Sequence, residues 1–171
     1  MGSALIRGVK PMMNTFRTIS LALIAGLFLT TGSVEIAKAD GTADIKARKA
    51  TMKAIGGHMG GIKLALKGKG GRGALVGHAE GMAAMGRING GYYPKGSEMG
   101  TIKTRALPAI WSKPAEFKTA VDAFASASAA FLTAAKGGDK GAIGAAMKGL
   151  GKSCGGCHKN FRAKKKKKKK M

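Results

Sequence analysis

Four stretches of the chain repeat apolar residues at helical spacing. In the first, Ile45, Arg48, Met52, Ile55, Met59, Ile62 and Leu66 follow one another at alternating steps of three and four. That is a stripe along one helix face, interrupted by a single charge at Arg48. The helix should start near Asp40–Thr42 and end at the KGKGG cluster of residues 67–71. A second helix is expected from about Ala74 to Ile88, with Leu75, His78, Met82 and Met85 on its inner stripe. The segment NGGYYPKGSE (89–98) is dense in Gly, Asn and Pro and reads as a loop. Pro114 then suits the first turn of a third helix. Its stripe is Phe117, Val121, Phe124, Ser128, Phe131 and Ala135, and the one polar member, Ser128, can bond back to the carbonyl one turn earlier. Gly137 and Gly138 end this helix, and Asp139 is a good cap for the fourth. There Ile143, Met147, Leu150, Cys154, Cys157 and Phe161 recur at steps of four and three. Nothing reads as a strand. Four amphipathic segments on short to moderate links predict an all-α fold, an antiparallel four-helix bundle.

The first forty residues stand outside this pattern. Arg7, Lys10 and Arg17 precede an uncharged run from Ile19 to Val34, and Ala37–Ala39 (AKA) follows. Basic, then apolar, then small-x-small is the order of a secretory signal peptide, cleaved here before Asp40. The apolar run is shorter than the roughly 20 residues of a spanning helix. The chain therefore divides into a signal peptide (1–39), a bundle (40–163) and a tail (164–171) in which Lys164–Lys170 is an unbroken lysine run. A periplasmic protein is expected.

Composition sharpens the picture in two ways. The chain holds 28 glycines, and each one inside an exposed helix costs about 1 kcal/mol relative to Ala. A large rigid cofactor filling the core would offset that cost. The formal net charge is +23; the first thirty-nine residues hold four of the 31 Lys and Arg and one of the eight Asp and Glu, which leaves about +20. Such a charge attracts acidic redox partner proteins, and through the lysine tail an anionic membrane surface. Nucleic acid is not expected, because an exported chain has little access to it and no recognisable binding motif is present.

The two cysteines fall together in KSCGGCHKNFRA (152–163), as Cys154 and Cys157 with His158 next. A disulfide three residues apart on a helix would bridge one turn and constrain nothing distant. C-x-x-C-H is the attachment signal of c-type haem. Cys154 and Cys157 would add to the two vinyl groups of the porphyrin, and His158 would be the proximal iron ligand. Two other chemistries compete. A redox dithiol places C-x-x-C at a helix N-terminus after a strand, whereas this pair lies several turns beyond Asp139. A structural zinc site wants four ligands. The chain offers two Cys and three His, with no second C-x-x-C and no paired His.

CGGCHKNFR (154–162) near the C-terminus resembles the motif of the class II c-type cytochromes, the family that includes cytochrome c′. The resemblance extends to ARKATMK (47–53), YPKGSE (93–98), LPAIW (107–111) and EFKTAVDAF (116–124), and so to nearly all of residues 40–163. It implies a four-helix bundle with haem c held between helices, and in many relatives a homodimer. It also implies that Arg48 binds a haem propionate; otherwise Arg48 snorkels to solvent. Met52 then occupies the position that faces the open side of the iron. In the low-spin branch of the family a methionine there ligates iron. In cytochrome c′ itself the iron stays five-coordinate.

The first functional expectation is therefore an electron carrier with His158 and Met52 as axial ligands. The alternative is a five-coordinate protein whose distal face, walled by Met52, Ile55 and Met59, admits nitric oxide or carbon monoxide. Neither supplies an acid–base pair or a nucleophile, so no enzyme is expected. His58 is expected in solvent and His78 at the edge of the core. Met59, Met82, Met85 and Met147 read as core. Trp111 resembles an aromatic beside the haem, with core packing as an equal reading. Gly56, Gly57, Gly60 and Gly61 either let the first helix approach the macrocycle or leave it loosely packed.

Overall fold

A computed structural model of the chain describes residues 41–98 and 100–164. The expected signal peptide with its cleavage before Asp40, and the lysine tail beyond Lys164, lie outside the described residues. The described chain forms α1 (Thr42–Leu66), α2 (Gly71–Ile88), a 3-10 turn (Asn89–Tyr92), the single-turn α3 (Ala109–Ser112), α4 (Pro114–Gly137) and α5 (Lys140–Phe161).

Local chemistry sets most of these ends. Pro114 opens α4, where its missing N–H costs nothing, and Gly138 closes it in the left-handed region with φ 82°. One residue on, Asp139 accepts a hydrogen bond from the Ala142 N–H at 2.7 Å and caps α5. The second helix begins three residues before the expected Ala74. Gly70 and Gly71, with φ of 80° and 68°, turn the chain early, and the Arg72 guanidinium donates to the Lys136 carbonyl near the end of α4. A single turn such as α3 is too short to show a period. Among the described residues the one β-type contact is an isolated bridge between Ala106 and Arg162. It ties the 100–108 loop to the end of α5, with the Leu107 N–H donating to the Phe161 carbonyl at 3.0 Å.

The four long helices form a bundle in which α1 packs on α2, α2 on α4 and α4 on α5. No Cα of α1 comes within 8 Å of one in α5. The ring of helices is thus open along one side. Ile62, Met82, Phe131 and Leu150 are fully buried at its centre, each worth about 1.5–3 kcal/mol of hydrophobic stabilisation. A smaller cluster of Ile110, Phe117 and Phe161 closes the end beside the loop. Helices α2 and α4 approach closely at Gly86, where a Cβ would sit 3.2 Å from the Ala125 Cα. Ser128 is buried and donates to the Phe124 carbonyl at 2.7 Å, so its hydroxyl is satisfied within its own helix. The α1 stripe ends at Ile62: Leu66, expected inside, is 44% exposed because the helix has by then run past its neighbours. No described helix is long and apolar enough to cross a membrane.

Candidate functional site

The inward stripes of α1, α4 and α5 are not buried evenly. Ile45, Ile55, Phe124, Ile143 and Leu150 are buried, whereas Met52, Met59, Val121, Met147, Cys154 and Cys157 are only half-buried. All six of these half-buried residues line one cavity of about 820 Å³. That volume falls in the range of sites that enclose a small molecule or cofactor. The cavity occupies the side on which α1 and α5 do not meet, with Met52, Ile55 and Met59 on one wall and Cys154, Cys157 and His158 on another. Core positions are left unfilled where the chain presents its thiols and histidine.

Arg48 lines the same cavity and does not snorkel: it is 2% exposed. Its Nη1 donates to the Ser97 carbonyl at 2.8 Å and to Ser97 Oγ at 3.2 Å. The guanidinium carbon lies 5.5 Å from the Tyr93 ring centroid and 5.4 Å from that of Trp111, within cation–π range. Burial lowers its pKa, against the opposing charges of Tyr93, Asp44 and Glu98. Its Nε and Nη2 are buried without a hydrogen-bond partner, as is Asn89 Oδ1 on the same cavity. A buried charged donor without a partner costs several kcal/mol, so an anionic group beside Arg48 would relieve a real penalty.

On the opposite wall, the last turns of α5 carry Cys154, Cys157 and His158 on one face. Both cysteines are free thiols. Burial pushes each thiol pKa up, with the Cys154 charge adding to the effect at Cys157. Burial also lowers the His158 pKa, and Arg162 and Arg105 lower it further. A neutral imidazole is the form that binds a metal, and in this structure the His158 Nε2 lies 3.5 Å from Arg162 Nη1. Two thiols, a neutral imidazole, an apolar cavity and an orphaned arginine are the set a propionate-bearing haem requires, and the residues fit it.

Several lining residues were not singled out from sequence. Tyr93 stacks edge-on against Phe117, 4.8 Å between centroids, and burial pushes its phenol up to about 12. Arg105 donates to the Ala163 carbonyl from Nε at 2.9 Å and holds the loop over the cavity. The loop has no periodicity, and only the YPKGSE resemblance pointed to Tyr93. Trp111 packs over Arg48 and donates to the Pro94 carbonyl at 3.0 Å, so it supports the arginine and does not line the cavity. His58 is not simply solvated: it is half-buried against His78, with their Nδ1 atoms 3.4 Å apart. The two histidines form a pair that the sequence did not show, being 20 residues apart.

A helical bundle that opens beside C-x-x-C-H in its last helix defines a class II c-type cytochrome. The family described as Cytochrome C′ matches residues 43–162. Cytochrome c′ of Pararhodospirillum photometricum is 37% identical over 119 residues, which is 69% of this chain and 94% of that protein. The chain belongs to the cytochrome c′ family, and its cofactor is haem c, held covalently through its two cysteines. Among solved structures, the nitric oxide complex of a mutant of cytochrome c prime from Alcaligenes xylosoxidans aligns at TM-score 0.67 with 27% identity, over 74% of this chain and 98% of that one. A cytochrome c′ described as having an unusual ligand-controlled dimer dissociation aligns at TM-score 0.68 with 27% identity, over 72% of this chain and 97% of that one.

Proposed function

We propose that the protein is a periplasmic, five-coordinate haem-c protein that takes up small diatomic gases such as nitric oxide or carbon monoxide. The observation that carries this reading is the wall facing His158. Its middle is built from Met52, Ile55, Gly56 and Met59, an apolar patch between Arg48 and Lys49 at one end and Lys63 at the other, on the cavity that also takes in Cys154, Cys157 and His158. Membership of the cytochrome c′ family supports it, and one structural neighbour is itself a nitric oxide complex.

In this reading Cys154 and Cys157 would tether the macrocycle, a neutral His158 would supply the ring nitrogen that binds iron, and Arg48 Nε and Nη2 would hold a propionate. The bound haem supplies a ferrous iron that can accept a diatomic ligand. The apolar middle of the α1 wall gives a bound ligand no charged or strongly hydrogen-bonding partner, which favours small uncharged molecules. An acidic partner protein and a second copy of the chain are the natural associates, since the chain is strongly basic and a neighbour is described by its ligand-controlled dimer dissociation.

A second reading keeps Met52 as the sixth ligand and makes the protein an electron carrier. The position of Met52, half-buried on the cavity wall one turn beyond Arg48, favours it. Visible spectra of the purified ferrous protein with and without carbon monoxide separate the two. Broad high-spin bands that sharpen with carbon monoxide support gas uptake. Sharp low-spin bands that ignore carbon monoxide, and turn high-spin in Met52→Ala, support the electron carrier and overturn the first reading.

A further inference from the structure

Away from the haem cavity, the interface between α1 and α2 brings together the two histidines that the haem reading leaves unused. We propose that His58 and His78 form a second metal site, which takes a late first-row divalent cation such as Zn²⁺ or Cu²⁺ between these helices. Their Nδ1 atoms face each other at 3.4 Å, with ring centroids 5.6 Å apart and planes at 66°. That gap is long for a hydrogen bond, which closes to about 2.7–3.2 Å. It matches the bite of a metal: two ring nitrogens each about 2.0–2.1 Å from one tetrahedral Zn²⁺ lie about 3.3–3.4 Å apart.

The glycines around the pair show that the arrangement is specific. A Cβ at Gly61 would fall 2.2 Å from His78 Nε2, and a Cβ at Gly81 would fall 2.1 Å from His58 Cε1. Each ring therefore occupies the space left by a glycine on the opposite helix, and the exchange is reciprocal. Gly57, Gly60 and Gly77, on the same two helices, would meet nothing within 4 Å. Apart from Gly86, which faces α4, the positions in the middle of these helices where a Cβ would collide are the two that seat the imidazoles. His78 sets its Nε2 edge against Gly61, and His58 sets its Cε1 edge, with a ring nitrogen on either side, against Gly81.

Both histidines are half-buried, so water can complete the coordination shell. Among the described residues no third His, Cys, Asp or Glu joins them. Glu80, two residues beyond His78, is engaged with Lys136 at 3.0 Å. The site is therefore two imidazoles plus solvent, which suits Cu²⁺ and Zn²⁺ over harder ions. The chain's net charge of +23 opposes a cation, so affinity should rise with ionic strength as that repulsion is screened.

Calorimetric titration of the mature, haem-loaded protein with zinc chloride tests the site. One ion per chain should bind saturably below millimolar zinc, more tightly at higher salt, without altering the visible spectrum of the haem. His58→Gln and His78→Gln should each weaken binding at least tenfold. Zinc-edge X-ray absorption on the unaltered protein should count two imidazoles, whatever the variants do. No saturable one-to-one binding, a haem spectrum that shifts with zinc, another imidazole count, or equal affinity in folded glutamine variants would each overturn the proposal.

Discussion

Arg48 is where charge and burial conflict most directly. It is held at one nitrogen by Ser97 and sandwiched by Tyr93 and Trp111, while two further donors face the cavity unpaired. Hydrogen bonds to charged groups are worth about 1.5–3 kcal/mol. Arg48→Gln should therefore lower the unfolding free energy of the haem-loaded protein by roughly that amount, as read from urea titration. Tyr93 gives a pH signature. Its folded pKa of about 12 lies above the unfolded value near 10. Below pH 10 both states keep the phenol neutral; between 10 and 12 the unfolded chain loses the proton first, so stability falls as pH rises. The loss approaches about 2–3 kcal/mol, and Tyr93→Phe should abolish that part of the alkaline decline in urea midpoint. The anomaly of a charge on an apolar stripe was legible at Arg48 from sequence alone. Its partners were not, because Ser97 and Tyr93 sit in a loop whose path is set by tertiary contacts.

Helix ends were the most readable elements. Gly138 and Asp139 between α4 and α5 act through backbone conformation and a cap within four residues, so local sequence decides them. Asp139→Ala should cost about 1 kcal/mol, seen as a fall of several degrees in thermal midpoint with the haem spectrum unchanged. The start of α2 was harder, since glycine opposes helix locally and the contact from Arg72 to the end of α4 is long-range. The same reason hid the histidine pair. His58 and His78 lie off or at the edge of their stripes, and only the packing of α1 on α2 brings them to 3.4 Å. A stripe pattern identifies which face is inward, but it does not show which inward positions will be filled. Met52, Met59, Val121, Met147 and the two cysteines keep helical register and still line a cavity.

The whole molecule is dominated by its charge. Lys49, Lys63, Lys103, Arg105 and Arg162 line the cavity and surround it with positive potential, in keeping with the net +23 of the chain. Association with an acidic partner protein should be fast at about 0.01 M salt and slow many-fold by 0.15 M, as the screening length falls from about 30 to 8 Å. Stopped-flow rates that do not change over this range would exclude electrostatic steering.

The gap between α1 and α5 has a bearing on how the molecule is assembled. The segments that face each other across it carry Met52 and Cys154, roughly a hundred residues apart, and the entropic toll of joining distant segments grows only with the logarithm of that distance. Three neighbouring helix pairs can form from the polypeptide by itself. The fourth contact would be mediated: haem held by Cys154 and Cys157 would fill the cavity that separates the first helix from the last. Maturation is then the step that turns an open array into a closed ring, and resistance to proteolysis should appear along α1 only after the thioether bonds are made.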